Sequence, residues 1–200
     1  MAEATVKVHL TCAALNPEPR LFTITSNGQI SESATVLKGV AGAIDGAGTG
    51  VDGLATGHGI TTQHKVSITW TGGARRNCTV SVANANDITV SDGDGTALPA
   101  ENTAVVVSIE TELQFPLDGD DISLLVIDSS SRNIMSFRES DGTLIETLDI
   151  AANAPPFVWF DGCGFANPLV GADIASISLT NEGVSEDSAV LVYAMFNPLG

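Results

Sequence analysis

The stretch from His64 to Glu110 constrains the fold more than any other part of the chain. It reads HKVSITW, TGG, ARRNCTVSV, ANAN, DITVSD, GDGTALPAEN, TAVVVSIE: four short apolar runs rich in β-branched residues, each closed by Gly, Asn, Asp or Pro. Val66, Ile68 and Trp70 alternate with Lys65, Ser67 and Thr69, the period of a half-buried strand. Thr71-Gly72-Gly73 turns the chain. Cys78, Val80 and Val82 then alternate with Thr79 and Ser81, Ala83 to Asn86 turns again, and Ile88 and Val90 alternate with Thr89 and Ser91. Asp92-Gly93-Asp94-Gly95 is expected as a loop, and Thr103 to Ile109 as a strand covered on both faces. Four runs separated by such short turns predict an antiparallel meander or a small barrel.

The rest of the 200-residue chain repeats this style without repeating the sequence. Strands are expected at 5–10, 21–25 and 30–37, then at 122–128, 134–138, 144–150, 157–160, 174–180 and 189–196. Ser26-Asn27-Gly28, Ser129-Ser130-Ser131, Asp141-Gly142 and Glu182-Gly183 supply the turns. Spacing of about ten residues with turn signals is the pattern of an antiparallel β-sandwich or jelly roll. The fold class is therefore all-β, a sandwich with the four-strand meander or barrel as a possible subdomain. The expected division is 1–60 (N-terminal strands and a Gly-rich loop, an assembly contact), 61–115 (meander) and 116–200 (sandwich), with one domain overall as the alternative. Residues 39–59, GVAGAIDGAGTGVDGLATGHG, are too apolar for a flexible linker. They read as a long ordered loop of little regular structure, lying against its own core or a neighbouring subunit. The best helix candidate is 39–44, weakened by its glycines.

Charge narrows the function. Acidic side chains number 24 against 8 basic, for a net charge of −16. Phosphate backbones and anionic membranes both select Lys and Arg, so neither is an expected partner. The charge is also uneven. Residues 1–84 hold six basic and five acidic side chains, 85–138 two and ten, and 139–200 none and nine. No apolar run approaches the roughly 18 residues of a membrane helix. MAEATVKVHL lacks the basic and apolar blocks of a signal peptide, which points to synthesis in a cytoplasm.

Chemical signatures are weak throughout. The acidic turns at Asp92–Gly95 and Asp118–Asp121 lack the acidic or amide oxygen at the fifth position and the Glu at the twelfth position of a calcium loop. His9, His58 and His64 have no partners at zinc spacing. Cys12, Cys78 and Cys163 are odd in number and widely spaced, and read as small packed hydrophobes rather than a disulfide framework. Cys163, in Asp161-Gly162-Cys163-Gly164, has no assignable base. No catalytic residue and no cofactor is expected. Two features suggest contacts instead. Arg75-Arg76 is the one adjacent basic pair in an acidic chain and suits an acidic neighbour, another copy of the chain included. Phe157, Trp159 and Phe160, with Phe165 beyond them, suit a sugar-stacking platform.

Taken together the residues describe a turn-rich, acidic, all-β building block. In style, across its whole length, the chain resembles virion structural proteins of bacteriophages and prophages, such as capsid decoration, head-fibre or tail components. The resemblance implies a non-enzymatic, homo-oligomeric subunit that resides in the virion and contacts other virion proteins. The alternative is a carbohydrate- or receptor-binding β-sandwich module.

Overall fold

The computed structural model describes residues 4–10, 20–26, 28–151, 156–160, 166–169, 171 and 173–196, the first two segments as backbone alone. Sixteen strands account for almost all regular structure: β1 (Ala4–Leu10), β2 (Arg20–Ser26), β3 (Gly28–Val36), β4 (Val40–Ile44), β5 (Gly50–Asp52), β6 (Lys65–Trp70), β7 (Gly73–Ala83), β8 (Ile88–Gly95), β9 (Ala104–Ile109), β10 (Thr111–Asp118), β11 (Ile122–Ser129), β12 (Asn133–Arg138), β13 (Leu144–Ile150), β14 (Phe157–Phe160), β15 (Asp173–Asn181) and β16 (Ser188–Phe196). A 3₁₀ turn at Gly119–Asp121 joins β10 to β11. Every strand pairing is antiparallel. The all-β expectation holds, with a sandwich and a barrel as its two parts.

The barrel is closed by six strands in the order β4-β5-β8-β7-β6-β9. The four runs of 64–110 supply β6 to β9, and the remaining two strands come from the Gly-rich segment. This corrects one expectation: within 39–59, Val40–Ile44 and Gly50–Asp52 are strands, so the segment is not a loop of little regular structure, and the weak helix candidate at 39–44 forms no helix. The apolar residues interleaved with its glycines enter the barrel core. Ile44, Val51 and Leu54, with Ile60, pack among Val66, Ile68, Cys78, Val80, Ile88, Val105 and Val107. Glycine is required where β5 squeezes between β4 and β8: a Cβ on Gly50 would lie 2.2 Å from the Ile88 carbonyl oxygen. Closure leaves no open sheet edge in this part of the molecule. Asp92-Gly93-Asp94-Gly95 also departs from expectation. It continues β8 against β7, with Asp92 opposite Cys78 and Asp94 opposite Arg76. Positive φ at Asp92, Gly93 and Gly95 lets the strand bend there without ending.

The sandwich stacks two four-stranded sheets, β10-β15-β12-β13 and β14-β11-β16-β3. Its core holds Leu113, Phe115, Ile127, Met135, Phe137, Trp159, Ile177, Leu179 and Val192. All six strands expected after residue 120 are present, and β3, from the N-terminal part, completes the second sheet. The signal missed is β10, TELQFPLD, whose Glu, Gln and Asp fall on alternate exposed positions. Residues 28–60 are thus shared: β3 lies in the sandwich while β4 and β5 lie in the barrel. Strands β1 and β2 pair only with each other, from Ala4 opposite Ser26 to Leu10 opposite Arg20.

Candidate functional site at the junction of barrel and sandwich

The chain passes between the two bodies twice within the described residues, and both crossings are tied by hydrogen bonds. At the first, Leu37 to Gly39 leads from β3 to β4. Lys38 forms a bridge with Asn181 of β15, its N–H donates to the Asp187 carboxylate (3.0 Å), and the Gly39 N–H donates to the Gly183 carbonyl (2.8 Å). At the second, Glu110 is the single residue between the last barrel strand, β9, and the sandwich strand β10. A single-residue link leaves little slack, and the side chain removes more of it. Oε1 accepts from Ser67 Oγ (2.7 Å) and from the Asn77 N–H (2.7 Å), both in the barrel, while Oε2 accepts from Ser178 Oγ (3.0 Å) in the sandwich. The N–H of Asn77 is aimed by a positive φ of 55°, which Asn tolerates better than most residues. A carboxylate has room for several donors, so one residue serves both bodies.

Three of the five arginines of the chain reinforce this junction. Arg138, at the end of β12, is buried and donates to both oxygens of Asp94 in the barrel (3.2 and 3.4 Å) and to the Gly142 carbonyl (3.0 Å). Arg76 in β7 meets Glu182, which follows β15, at 3.5 Å. Arg132 meets the same Glu182 at 3.6 Å and grips Asp149 with two bonds of 2.7 and 3.0 Å. That fork holds the Asp149 carboxyl below the usual carboxylate range. Ser108 Oγ completes the seam by donating to the Asn181 carbonyl (2.8 Å).

Two recesses flank the seam. One is a polar cleft of about 470 Å³ whose walls include Lys65, Asn77, Glu110, Arg138, Glu139 and Ser178. The other is a more apolar groove of about 690 Å³ along the Gly-rich segment, with Leu37, Val40, Ala41, Ala55 and Val184 in its walls. Leu37 and Val184 are 47% and 51% exposed, well beyond the usual for large aliphatic residues.

The predicted contact residues fare differently. Arg76 does face an acidic neighbour, but that neighbour is Glu182 of the same chain. Arg75 is half-buried in β7, with its aliphatic stem beside Gly93. The aromatic platform is not assembled. The alternation of β14 turns Phe157 and Trp159 to the sandwich interior, Trp159 as part of the core, while Phe160 points to the opposite face of the sheet. Trp159 and Phe160 are both buried, and neither offers a ring face to a sugar. Phe165, Cys12 and Cys163 lie outside the described residues. Cys78 is fully buried in the barrel core, and burial pushes its thiol up to about 11.

His58 and His64 serve the backbone. His58 Nδ1 accepts from the Ile60 N–H (3.0 Å) and its Nε2 sits 2.9 Å from the Asn84 carbonyl; His64 Nδ1 accepts from the Thr61 N–H (3.1 Å). The acidic turn at Asp118 is likewise internal: Asp118 accepts from the Asp120 N–H and Asp120 from the Gly171 N–H. Among the described residues no three His, Cys, Asp or Glu side chains converge as a metal ion requires. No helix of the described residues is long and apolar enough to cross a membrane.

Sequence reasoning missed Glu110, although one signal was present: an acid placed between two β-branched runs with no turn residue beside it. Compared with protein-family models, curated proteins and solved structures, the chain matches none of them.

Proposed function

We propose that this chain is a non-enzymatic structural subunit of a virus particle, a capsid decoration, head-fibre or tail component, that assembles with copies of itself and with other virion proteins. The observation that carries the reading is the Glu110 clamp. A carboxylate bonded to both bodies across a one-residue link, with Arg138 and Arg76 beside it, makes barrel and sandwich a single stiff block. Stiffness at a two-body junction suits a building unit better than a protein that closes on a ligand, which needs slack in its hinge. The charge distribution agrees. With Arg76, Arg132 and Arg138 used inside the molecule, the surface left to solvent is strongly acidic, which favours solubility at the high local concentrations of an assembly. The groove of Leu37 and Val184 is an apolar strip on a strongly acidic body, the kind of patch that marks contact with another protein.

The subunit is made in the host cytoplasm and ends in the particle. Sedimentation of the purified protein and immunogold labelling of particles from its native source test this together. The reading expects an oligomer in solution and gold on the particles. A monomer absent from particles overturns it.

A further inference from the structure

The outer face of the sheet β14-β11-β16-β3 carries a row of buried apolar residues that the sandwich core does not account for. Phe160, Leu124 and Met195 stand side by side across β14, β11 and β16. They are 4%, 2% and 0% exposed, yet none belongs to the core cluster, which takes the alternate residues Trp159, Leu125 and Ala194. Something covers the far side of this sheet. Strand β2 approaches β11. Both edges of β11 are already paired, to β14 and β16, and its inner face is filled by the core. Strand β2 therefore comes to β11 from its outer face, with β1 paired to it.

Its attachment is slight. The hairpin shares no ladder with either sheet and joins β3 through Asn27 alone. A lone two-stranded hairpin is marginal in water and depends on the surface beneath it. Its charge differs in sign from that of the chain as a whole. The strands ATVKVHL and RLFTITS contain Lys7 and Arg20 and no acidic residue, and with Glu18 between them residues 4–26 carry a net +1 within a chain of net charge −16. Two copies of such a chain repel one another, and an arm of net positive charge is drawn to an acidic body. The apolar surface it would meet extends beyond the sealed row to Val158 and Leu191, 46% and 41% exposed.

We propose that the hairpin of β1 and β2 is an exchange arm, which leaves its own sheet and covers the outer face of β14-β11-β16-β3 in a second copy of the chain. Exchange replaces contacts with identical ones and breaks no sheet ladder, so its cost is confined to the link at Asn27. The cationic arm meets an acidic partner, which supplies the attraction that the bodies lack. The inference rests on the self-assembly proposed above and specifies the surface used.

Copies of the full chain carrying a photo-crosslinking residue at Val126, on the same outer face, are unfolded and refolded together with ¹⁵N-labelled copies lacking it. Light and heavy peptides joined between the outer face and residues 4–26, in a particle sedimenting as an oligomer, are the expected result. The double reversal Lys7→Glu/Arg20→Glu should then weaken association about tenfold while leaving the unfolding midpoint of the body in place. An oligomer whose arm crosslinks stay within one copy overturns the exchange and leaves self-assembly standing. An oligomer in which the arm does not crosslink to this face overturns the exchange as well. A monomer at all concentrations overturns both.

Discussion

Removing Asp94 should destabilise the protein more than removing its partner Arg138, although the two make the same ion pair. The difference lies in what each removal leaves behind. The Arg138 side chain is 6% exposed and that of Asp94 31%. The guanidinium keeps its charge at any accessible pH, and its Nε is buried with no hydrogen-bond partner even in the intact protein. In Asp94→Ala the cation is left with the Gly142 carbonyl and almost no water. Breaking a buried pair in this way costs about 3–5 kcal/mol, and the partial exposure of Asp94 places the loss near the lower end, about 3 kcal/mol. In Arg138→Met the aliphatic stem is kept and Asp94, already a third exposed, takes up water. That loss is about 1–2 kcal/mol. The double variant strands neither charge, so it should lose about 1 kcal/mol, far less than the sum of the single losses. At about 2–4 °C per kcal/mol for a chain of this size, Asp94→Ala should melt roughly 6–12 °C lower. Urea unfolding at pH 7, followed by far-ultraviolet circular dichroism, reads all three. The reasoning fails if Arg138→Met costs as much as Asp94→Ala, or if the two losses simply add.

The Glu110 clamp should tolerate Gln and not Ala. Glu110→Gln keeps an acceptor for Ser67 and Asn77 and loses about 1 kcal/mol, while Glu110→Ala strands three donors and loses about 3 kcal/mol, read by the same unfolding curves. Barrel closure should be sensitive at one glycine and indifferent at its neighbour: Gly50→Ala drives a methyl into the Ile88 carbonyl and should cost at least about 2–3 kcal/mol, whereas Gly46→Ala meets only Glu101 at 3.4 Å and should stay within about 0.5 kcal/mol. Cys78 should impose an alkaline limit. Its folded pKa of about 11 lies above the ordinary 9.0, so the stability it contributes is whole below pH 9 and is lost as pH rises towards 11. Comparing Cys78→Ala with the parent across that window should show the variant losing about 2–3 kcal/mol less; parallel curves would refute it.

The barrel and sandwich strands were legible because each is a local statement. Val66, Ile68 and Trp70 against Lys65, Ser67 and Thr69 is a period that needs no knowledge of the partner strand, and all six runs after residue 120 declared themselves in the same way. What could not be read is whatever depends on which strands meet. Val40–Ile44 and Gly50–Asp52 have poor strand propensity, and their glycines are explained only by their partners: a Cβ on Gly50 would stand 2.2 Å from the Ile88 carbonyl oxygen, and one on Gly42 2.5 Å from Val51 Cγ1. Tertiary closure, not propensity, makes them strands. The aromatic cluster failed for the opposite reason: proximity in sequence was taken for proximity on a surface, and the period of two that identified β14 also sends Trp159 and Phe160 to opposite faces. The junction shows the limit most clearly. Arg76, Arg132, Arg138, Asp94 and Glu182 are spread over more than a hundred residues, and their pairing follows from the register of β7 against β8 and of β12 against β15. The charge asymmetry seen in the sequence is therefore not a map of two faces. The two Lys or Arg residues of the later, acidic part, Arg132 and Arg138, lie at the seam with the barrel, and the Arg76 of the neutral part reaches across to the Glu182 that Arg132 also meets.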